Sequence, residues 1–332
     1  MTTRPNPTFR PDRPVGRLAA MSNAPAPLTD EALTEELAPV VAGLVDRHLT
    51  NTKEWFPHRL VPWSRGTDIG DDYEWDPRET NLSEEVRSAL IVDLLTEDNL
   101  PYYFETIYNL FGKHEPWGVW ARRWTAEEGR HSIVIRDYLH VTRAVDLDEL
   151  ERGRMAQVST GEVPHPETVC DGLAYVTMQE LATKISHRNT GRLLDDKVGY
   201  QVMAKVAGDE QLHHVFYRDA SVAALEADPN GMVLAIDRQV RNFAMPGTGI
   251  PDFAAHAKRI AKAQIYDFQI HHDQILRPMV IDVWKLPELE GLSPEADEAR
   301  STVLKYLDRV DSAARKLAAR RERDEARELA NA

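Results

Sequence analysis

Two short words in this chain pair a glutamate with a histidine three residues later. Glu128 and His131 stand in Trp124-Thr125-Ala126-Glu127-Glu128-Gly129-Arg130-His131, and Glu210 and His213 in Gly208-Asp209-Glu210-Gln211-Leu212-His213. Residues three apart on a helix share a face, so each pair can reach one ion. A lone carboxylate, Glu97 and then Glu180, precedes each pair in a separate apolar segment. Four carboxylates and two imidazoles from four helices are the donor set of a carboxylate-bridged two-metal centre inside a bundle. Iron or manganese suits that mixture, whereas zinc prefers fewer ligands. Two irons so held point to oxygen chemistry. A single Glu-x-x-His is ordinarily a solvated helix pair, and only the repetition argues otherwise.

Each word also carries an acid directly before its glutamate, Glu127 and Asp209. Metal-bound histidines give their other N–H to a carboxylate, so the expected arrangement is crossed: Asp209 on His131 and Glu127 on His213. Thr183 and His187 share the face of Glu180. Pro101, four residues after Glu97, leaves the Glu97 carbonyl without a helical partner, which predicts a kink or bulge at the ligand itself.

The elements that must position these residues read as helices throughout, giving an all-α fold. Thr29 or Asp30 opens a helix to about Leu49, and a loop rich in Pro, Gly and Trp follows from Trp55 to Pro77. Ser83 caps a long helix to about Phe111. Further helices are expected from Pro116 to Arg143, Thr168 to Asn189, Asp195 to Ala227, over 230–243, and from Pro251 to Val283. Pro164 and Pro166 mark a loop. Trp117, Trp120 and Trp124 continue the stripe of Glu128 and His131. Ser293-Pro294-Glu295 starts a last helix whose charged end, from Arg315, is expected to fray. Residues 1–28, with six prolines and four arginines, read as a disordered leader; 29–285 form the bundle domain and 286–332 a C-terminal helix with a charged tail.

Composition bounds the function. The 332 residues suffice for one large core, and 42% hydrophobic with 28% charged residues is ordinary for a globular chain. No apolar run approaches the ~18 residues of a membrane span. A net charge of −14 argues against nucleic acid, which requires clustered positive charge. One cysteine, Cys170, excludes an intramolecular disulfide and fits a reducing cytoplasmic setting.

The flanking words carry a resemblance. Lys53-Glu54-Trp55-Phe56-Pro57, Thr96-Glu97-Asp98-Asn99-Leu100-Pro101, the two Glu-x-x-His words, and Gln179-Glu180-Leu181-Ala182-Thr183 running into Ile185-Ser186-His187-Arg188-Asn189-Thr190 resemble the soluble acyl-[acyl-carrier-protein] desaturases, closest to their actinobacterial branch. The resemblance spans roughly residues 29–285 and implies a ferritin-like di-iron bundle with additional helices. It implies two Fe(2+) ions per subunit on Glu97, Glu128, His131, Glu180, Glu210 and His213, with Glu128 and Glu210 bridging. Thr183 matches a threonine beside the oxygen-binding face, and Trp55, His131 and Asp209 match an electron-entry path. The implied reaction removes two hydrogens from a saturated acyl chain on acyl carrier protein, using O2 and two electrons from ferredoxin, in a homodimer. Two departures are Gly129, where the family has asparagine, and Leu212, where it has a basic residue; neither removes a ligand.

Thr106, Asn109 and Leu110 are candidates to line an acyl channel. Arg188 with Arg192, Lys258 with Arg259 and Lys262, and the C-terminal Lys/Arg cluster are candidates to meet an acidic carrier. Other readings are a different di-iron oxygenase, a radical-generating subunit with Tyr103, Tyr108 or Tyr138 as radical site, an iron store, or a non-catalytic relative that binds metal weakly. Storage subunits are much shorter than this chain. Substituting Glu128→Gln or Glu128→Ala is expected to abolish iron-dependent desaturation while the far-ultraviolet circular dichroism stays helical. Full activity in either variant would remove Glu128 from the centre.

Overall fold

The computed structural model describes residues 26–331 apart from 162, 246 and 248. Of the leader, residues 1–25 lie outside the described residues, and Leu28 joins the fold through its N–H to Asp228 Oδ2 at 2.8 Å. Among the described residues the chain forms helices and turns and no strand, as the periodicity predicted.

Helix α1 (Asp30–Asn51) is capped by Thr29, whose hydroxyl accepts from the Ala32 N–H. Its buried residues Leu33, Leu37, Val41, Leu44, Val45 and His48 recur at helical spacing on one face. After the short α2 (Pro57–Leu60) come α3 (Glu84–Glu97), α4 (Leu100–Leu110), α5 (Trp117–Thr142), α6 (Leu147–Thr160), α7 (Val169–Leu193) and α8 (Lys197–Ala227). Then follow α9 (Pro229–Arg241), α10 (Phe253–Lys262), α11 (Phe268–His271) and α12 (Pro294–Asn331). Helices α3, α5, α7 and α8 are the four that carry the predicted ligands. The pair α7–α8 has the most extensive contact; α1 packs on α8, α9 on α7 and α8, α12 on α9, and α10 on α3. At the α7–α8 crossing Gly191 allows close approach, since an added Cβ would lie 2.9 Å from Met203 Cβ.

The core beside the ligand helices is aromatic. Trp120 stacks on Phe216 with ring centroids 3.5 Å apart, and both are buried. Trp117, Trp120 and Trp124 are all buried on the inner face of α5, where the stripe predicted them. Full burial of a side chain such as Phe216 is worth about 1.5–3 kcal/mol.

The structure departs from the sequence reading in four places. The expected long helix from Ser83 to Phe111 breaks directly after Glu97, and α4 restarts with Pro101 in its first turn. The second departure is α6, an unexpected helix that holds this break. Arg154 of α6 grips the Asp98 carboxylate with Nε and Nη2 at 2.7 and 3.0 Å, and Gln157 Nε2 donates to Asn99 Oδ1 at 2.8 Å. The signal for α6 was present: Asp146 caps it by accepting from the Glu149 N–H, and Asp148 and Glu149 favour the positive N-terminal end. Third, the helix expected from Pro251 to Val283 is divided. Gln264 adopts a left-handed conformation, φ 55°, which ends α10, and Asp267 caps α11, which runs on into wide turns at His272–Leu276 and Pro278–Val283. Fourth, α12 continues to Asn331 instead of ending near Arg315; Asp311 pairs with Arg315, and Arg321 reaches Asp267 of the core at 3.2 Å.

Removing the guanidinium that holds the break should leave a buried aspartate unpaired. Arg154→Ala is expected to lose about 2–4 kcal/mol of stability, read from urea unfolding. A loss below about 0.5 kcal/mol, the ordinary surface value, would show that the break does not depend on this pair.

Candidate metal centre

Four helices deliver the six predicted residues to one place. Glu97 is the last residue of α3, Glu128 and His131 lie on α5, Glu180 on α7, and Glu210 and His213 on α8. All six are buried, none more than 7% exposed. Their donor atoms form two groups, Glu97–Glu128–His131–Glu210 and Glu128–Glu180–Glu210–His213, each lying within 4.8 Å. Glu128 and Glu210 belong to both. His131 Nδ1 lies 3.0 Å from Glu128 Oε2, 3.3 Å from Glu210 Oε1 and 3.7 Å from Glu97 Oε2. His213 Nδ1 lies 2.7 Å from Glu128 Oε1, 3.6 Å from Glu180 Oε2 and 3.8 Å from Glu210 Oε2.

The donor set fits a pair of cations. His131 Nδ1, His213 Nδ1, Glu128 Oε1, Glu180 Oε2 and Glu210 Oε2 are buried and, close as some lie to one another, none makes a well-directed hydrogen bond; buried polar atoms in such a state answer to an ion, a water or a function. The electrostatics carry the same imbalance. Burial works against charged imidazoles, yet the carboxylates, Glu128 foremost, hold His131 and His213 well above the ordinary histidine range. Burial, reinforced by Glu210, pushes the Glu180 carboxyl well above its ordinary value. Burial with Glu128 raises Glu97. Glu210 falls well below its usual value, because contacts with His131, His187 and His213 outweigh burial.

A further layer orients the donors, and the crossed arrangement is present. Asp209 Oδ2 lies 3.4 Å from His131 Nε2 and accepts from Trp55 Nε1 at 2.9 Å and Arg130 Nη2 at 2.8 Å. Trp55 is buried and lies parallel to the His131 ring at 6.4 Å, so Trp55, Asp209 and His131 do come together. On the other side Glu127 Oε2 lies 3.0 Å from His213 Nε2 and 2.8 Å from His48 Nε2, and its Oε1 is paired with Arg123. Burial would raise both acids; contacts from His213 and His48 hold Glu127 far below the carboxylate range, and His131 lowers Asp209. Trp124 Nε1 donates to Glu180 Oε1 at 3.0 Å.

Two histidines of this layer were given no role by the sequence, which placed His187 on the face of Glu180 and did not single out His48. His187 Nε2 lies 3.0 Å from Glu97 Oε1, with Nδ1 3.4 Å from Asp93 Oδ2. Its seven-residue spacing from Glu180 was the available signal. His48 comes from α1, outside the ligand helices, and nothing in its local sequence points to the centre. Gly129 leaves room: an added Cβ would meet only Leu100 Cδ2, at 3.9 Å.

Two cavities adjoin the centre. An apolar one of about 270 Å³ is lined by Val92, Thr96, Thr183, Phe243, Ile260 and Phe268, among others. A second, of about 20 Å³, is bounded by Thr96, Thr183, Glu97, Glu128 and Glu210. Thr96 and Thr183 wall both. The Thr183 hydroxyl lies 3.2 Å from the Gln179 and Glu180 carbonyls, to which it donates. Thr106, Asn109 and Leu110 line a further pocket with Glu105 and His165. Of the cations considered for carrier docking, Arg259 and Lys262 are paired with Glu84 and Glu85 of α3.

Comparison with known proteins agrees with this geometry. The family described as fatty acid desaturase matches residues 29–331. DesA1 of Mycobacterium tuberculosis, named provisionally as an acyl-[acyl-carrier-protein] desaturase, is 41% identical over 315 residues, covering 91% of this chain and 92% of DesA1. The chloroplastic stearoyl-[acyl-carrier-protein] 9-desaturase of Gossypium hirsutum is 32% identical over 280 residues, or 78% of this chain and 69% of that protein. The X-ray structure of DesA2 from Mycobacterium tuberculosis superposes with a TM-score of 0.64 at 26% identity, covering 81% of this chain and 99% of that one.

The two orienting acids provide a test that leaves every ligand in place. Glu127→Gln and Asp209→Asn should each weaken ferrous iron binding about 10–100-fold, measured by chelator competition, with helix content unchanged. Both carboxyls titrate below their ordinary values, so their stabilisation holds above about pH 4–5 and fades as pH falls. Iron retention should follow that direction in the wild type. Wild-type affinity in both variants would separate these acids from the centre.

Proposed function

This chain belongs to the fatty acid desaturase family, and from that premise we propose that it is an acyl-[acyl-carrier-protein] desaturase that introduces a cis double bond into a carrier-bound saturated chain. The observation that carries this reading is the pair of threonines. Thr96 and Thr183 separate an apolar cavity from a two-group cluster of buried carboxylates and imidazoles. The proposed requirements are two Fe(2+) ions per subunit, O2, and two electrons from ferredoxin.

Glu97 and His131 would hold one iron, Glu180 and His213 the other, with Glu128 and Glu210 shared. When bound, two irons supply the oxygen-activating power to remove hydrogen from an unactivated methylene, which no side chain possesses. The remaining work belongs to the protein. The walls of the large cavity hold an extended acyl chain dry and in one register, so that one carbon pair faces Thr183 and Thr96. Asp209 and Glu127 fix the two imidazole rings, and Trp124 fixes Glu180. The Thr183 hydroxyl gives its proton to backbone carbonyls and keeps its lone pairs free, which suits it to receive and pass a proton at Oγ1. Trp55 and Asp209 connect His131 toward the surface loop between α1 and α2 and form the proposed route for electrons.

A carrier protein loaded with saturated chains of defined length, reduced ferredoxin, O2 and the iron-loaded chain form the direct assay. Mass analysis should find a product lighter by two hydrogens for a narrow range of chain lengths, and no product with Glu128→Gln. An iron-loaded protein that leaves every chain length saturated would overturn the assignment.

A further inference from the structure

Tyr103 is a buried polar group beside the centre that the proposed chemistry does not use. It lies on α4, six residues after Glu97. In an unbroken helix it would stand about 240° around the axis from Glu97 and face elsewhere. The break at Asp98 and Asn99 redirects it, so that Glu97 and Tyr103 both line the 20 Å³ cavity together with Thr96, Glu128, Thr183 and Glu210. The Tyr103 hydroxyl is sealed from solvent and has no protein hydrogen-bond partner. A buried hydroxyl left alone costs about 1–3 kcal/mol, and such groups in native proteins answer to a water, an ion or a function. A cavity of this size holds about one water-sized molecule.

We propose that the Tyr103 hydroxyl is a binding group for a small guest of the centre, donating a hydrogen bond to one water-sized acceptor seated against Thr183 and the Glu97, Glu128 and Glu210 carboxylates. The guest class is a compact acceptor of a few atoms: dioxygen, water, or a small anion such as azide. Tyr103 enters from the α4 side, whereas Thr183 enters from α7, so the guest is held from two helices. This inference rests on the proposed metal centre.

The test compares the full-length wild type with Tyr103→Phe, using azide as the probe on the iron-loaded, oxidised protein. Four quantities are measured: iron content, the azide Kd by optical titration, the azide infrared band in H2O and D2O, and Tm with and without iron. Iron content should be equal, and the azide Kd should rise about fivefold in the variant, the worth of one hydrogen bond. The azide infrared band should move on exchange into D2O in the wild type and stay fixed in Tyr103→Phe. The metal-free variant should melt about 2 °C lower. An unchanged Kd with iron bound, or a D2O shift that survives in the variant, overturns the proposal. Iron absent from the wild type would count against the desaturase reading instead. The melting comparison then decides this inference alone, an equal or higher Tm for the variant overturning it. Should the variant fail to fold, a wild-type azide band insensitive to D2O overturns the proposal and a sensitive one supports it.

Discussion

Everything in this molecule answers to one constraint: carboxylates packed together in a dry interior repel one another and demand compensation. Four glutamates and two histidines converge among α3, α5, α7 and α8 with donor atoms within 4.8 Å in two overlapping groups. Like charges so close in a low-dielectric interior cannot all stay ionised unless cations or protons sit among them. Glu180 moves upward through burial and the nearby Glu210, while Glu210 moves downward because histidine contacts outweigh its burial. Apolar packing cannot substitute for it. The aromatic wall of Trp117, Trp120, Trp124 and Phe216 removes water and thereby strengthens both the repulsion and the attraction for a cation.

A second consequence is order in the surrounding layer. The two halves of the centre are matched by different means. On one side an indole, Trp55, and a guanidinium, Arg130, grip Asp209; on the other an imidazole, His48, and a guanidinium, Arg123, grip Glu127. Each acid then faces the outer nitrogen of a ligand histidine contributed by the other helix. The crossing follows from antiparallel packing, because the residue before each glutamate points toward the partner helix instead of back into its own site. Both arginines belong to α5, whereas His48 comes from α1 and Trp55 from the loop after it, so elements outside the four-helix core share in setting the precision of the centre.

The break after Glu97 extends the same logic. A continuous helix would have sent Tyr103 away from the cluster. Pro101 removes an N–H from the ladder, and Arg154 and Gln157 of α6 hold the buried corner at Asp98 and Asn99. The interruption lets one chain segment supply both a ligand carboxylate and a cavity-lining phenol. The large apolar cavity meets the centre across Thr96 and Thr183, which line both cavities.

The sequence by itself determined the all-α class, the helix for each ligand, the six clustered residues and the crossed acids. These follow from spacing, since a three-residue step on a helix places two side chains on one face whatever the rest of the fold does. It also predicted the disturbance at Glu97, because proline acts locally. Tertiary structure decided the rest. The length of α10, the roles of His48 and His187, and the cavity that faces the centre all depend on contacts between residues far apart in the chain. Glu127 and His48 lie 79 positions apart, and Glu97 and His187 lie 90 apart. No local pattern encodes such a meeting. The two Glu-x-x-His words announced a centre, and the packing of α1, α4 and α6 around them decided what holds it and what can enter.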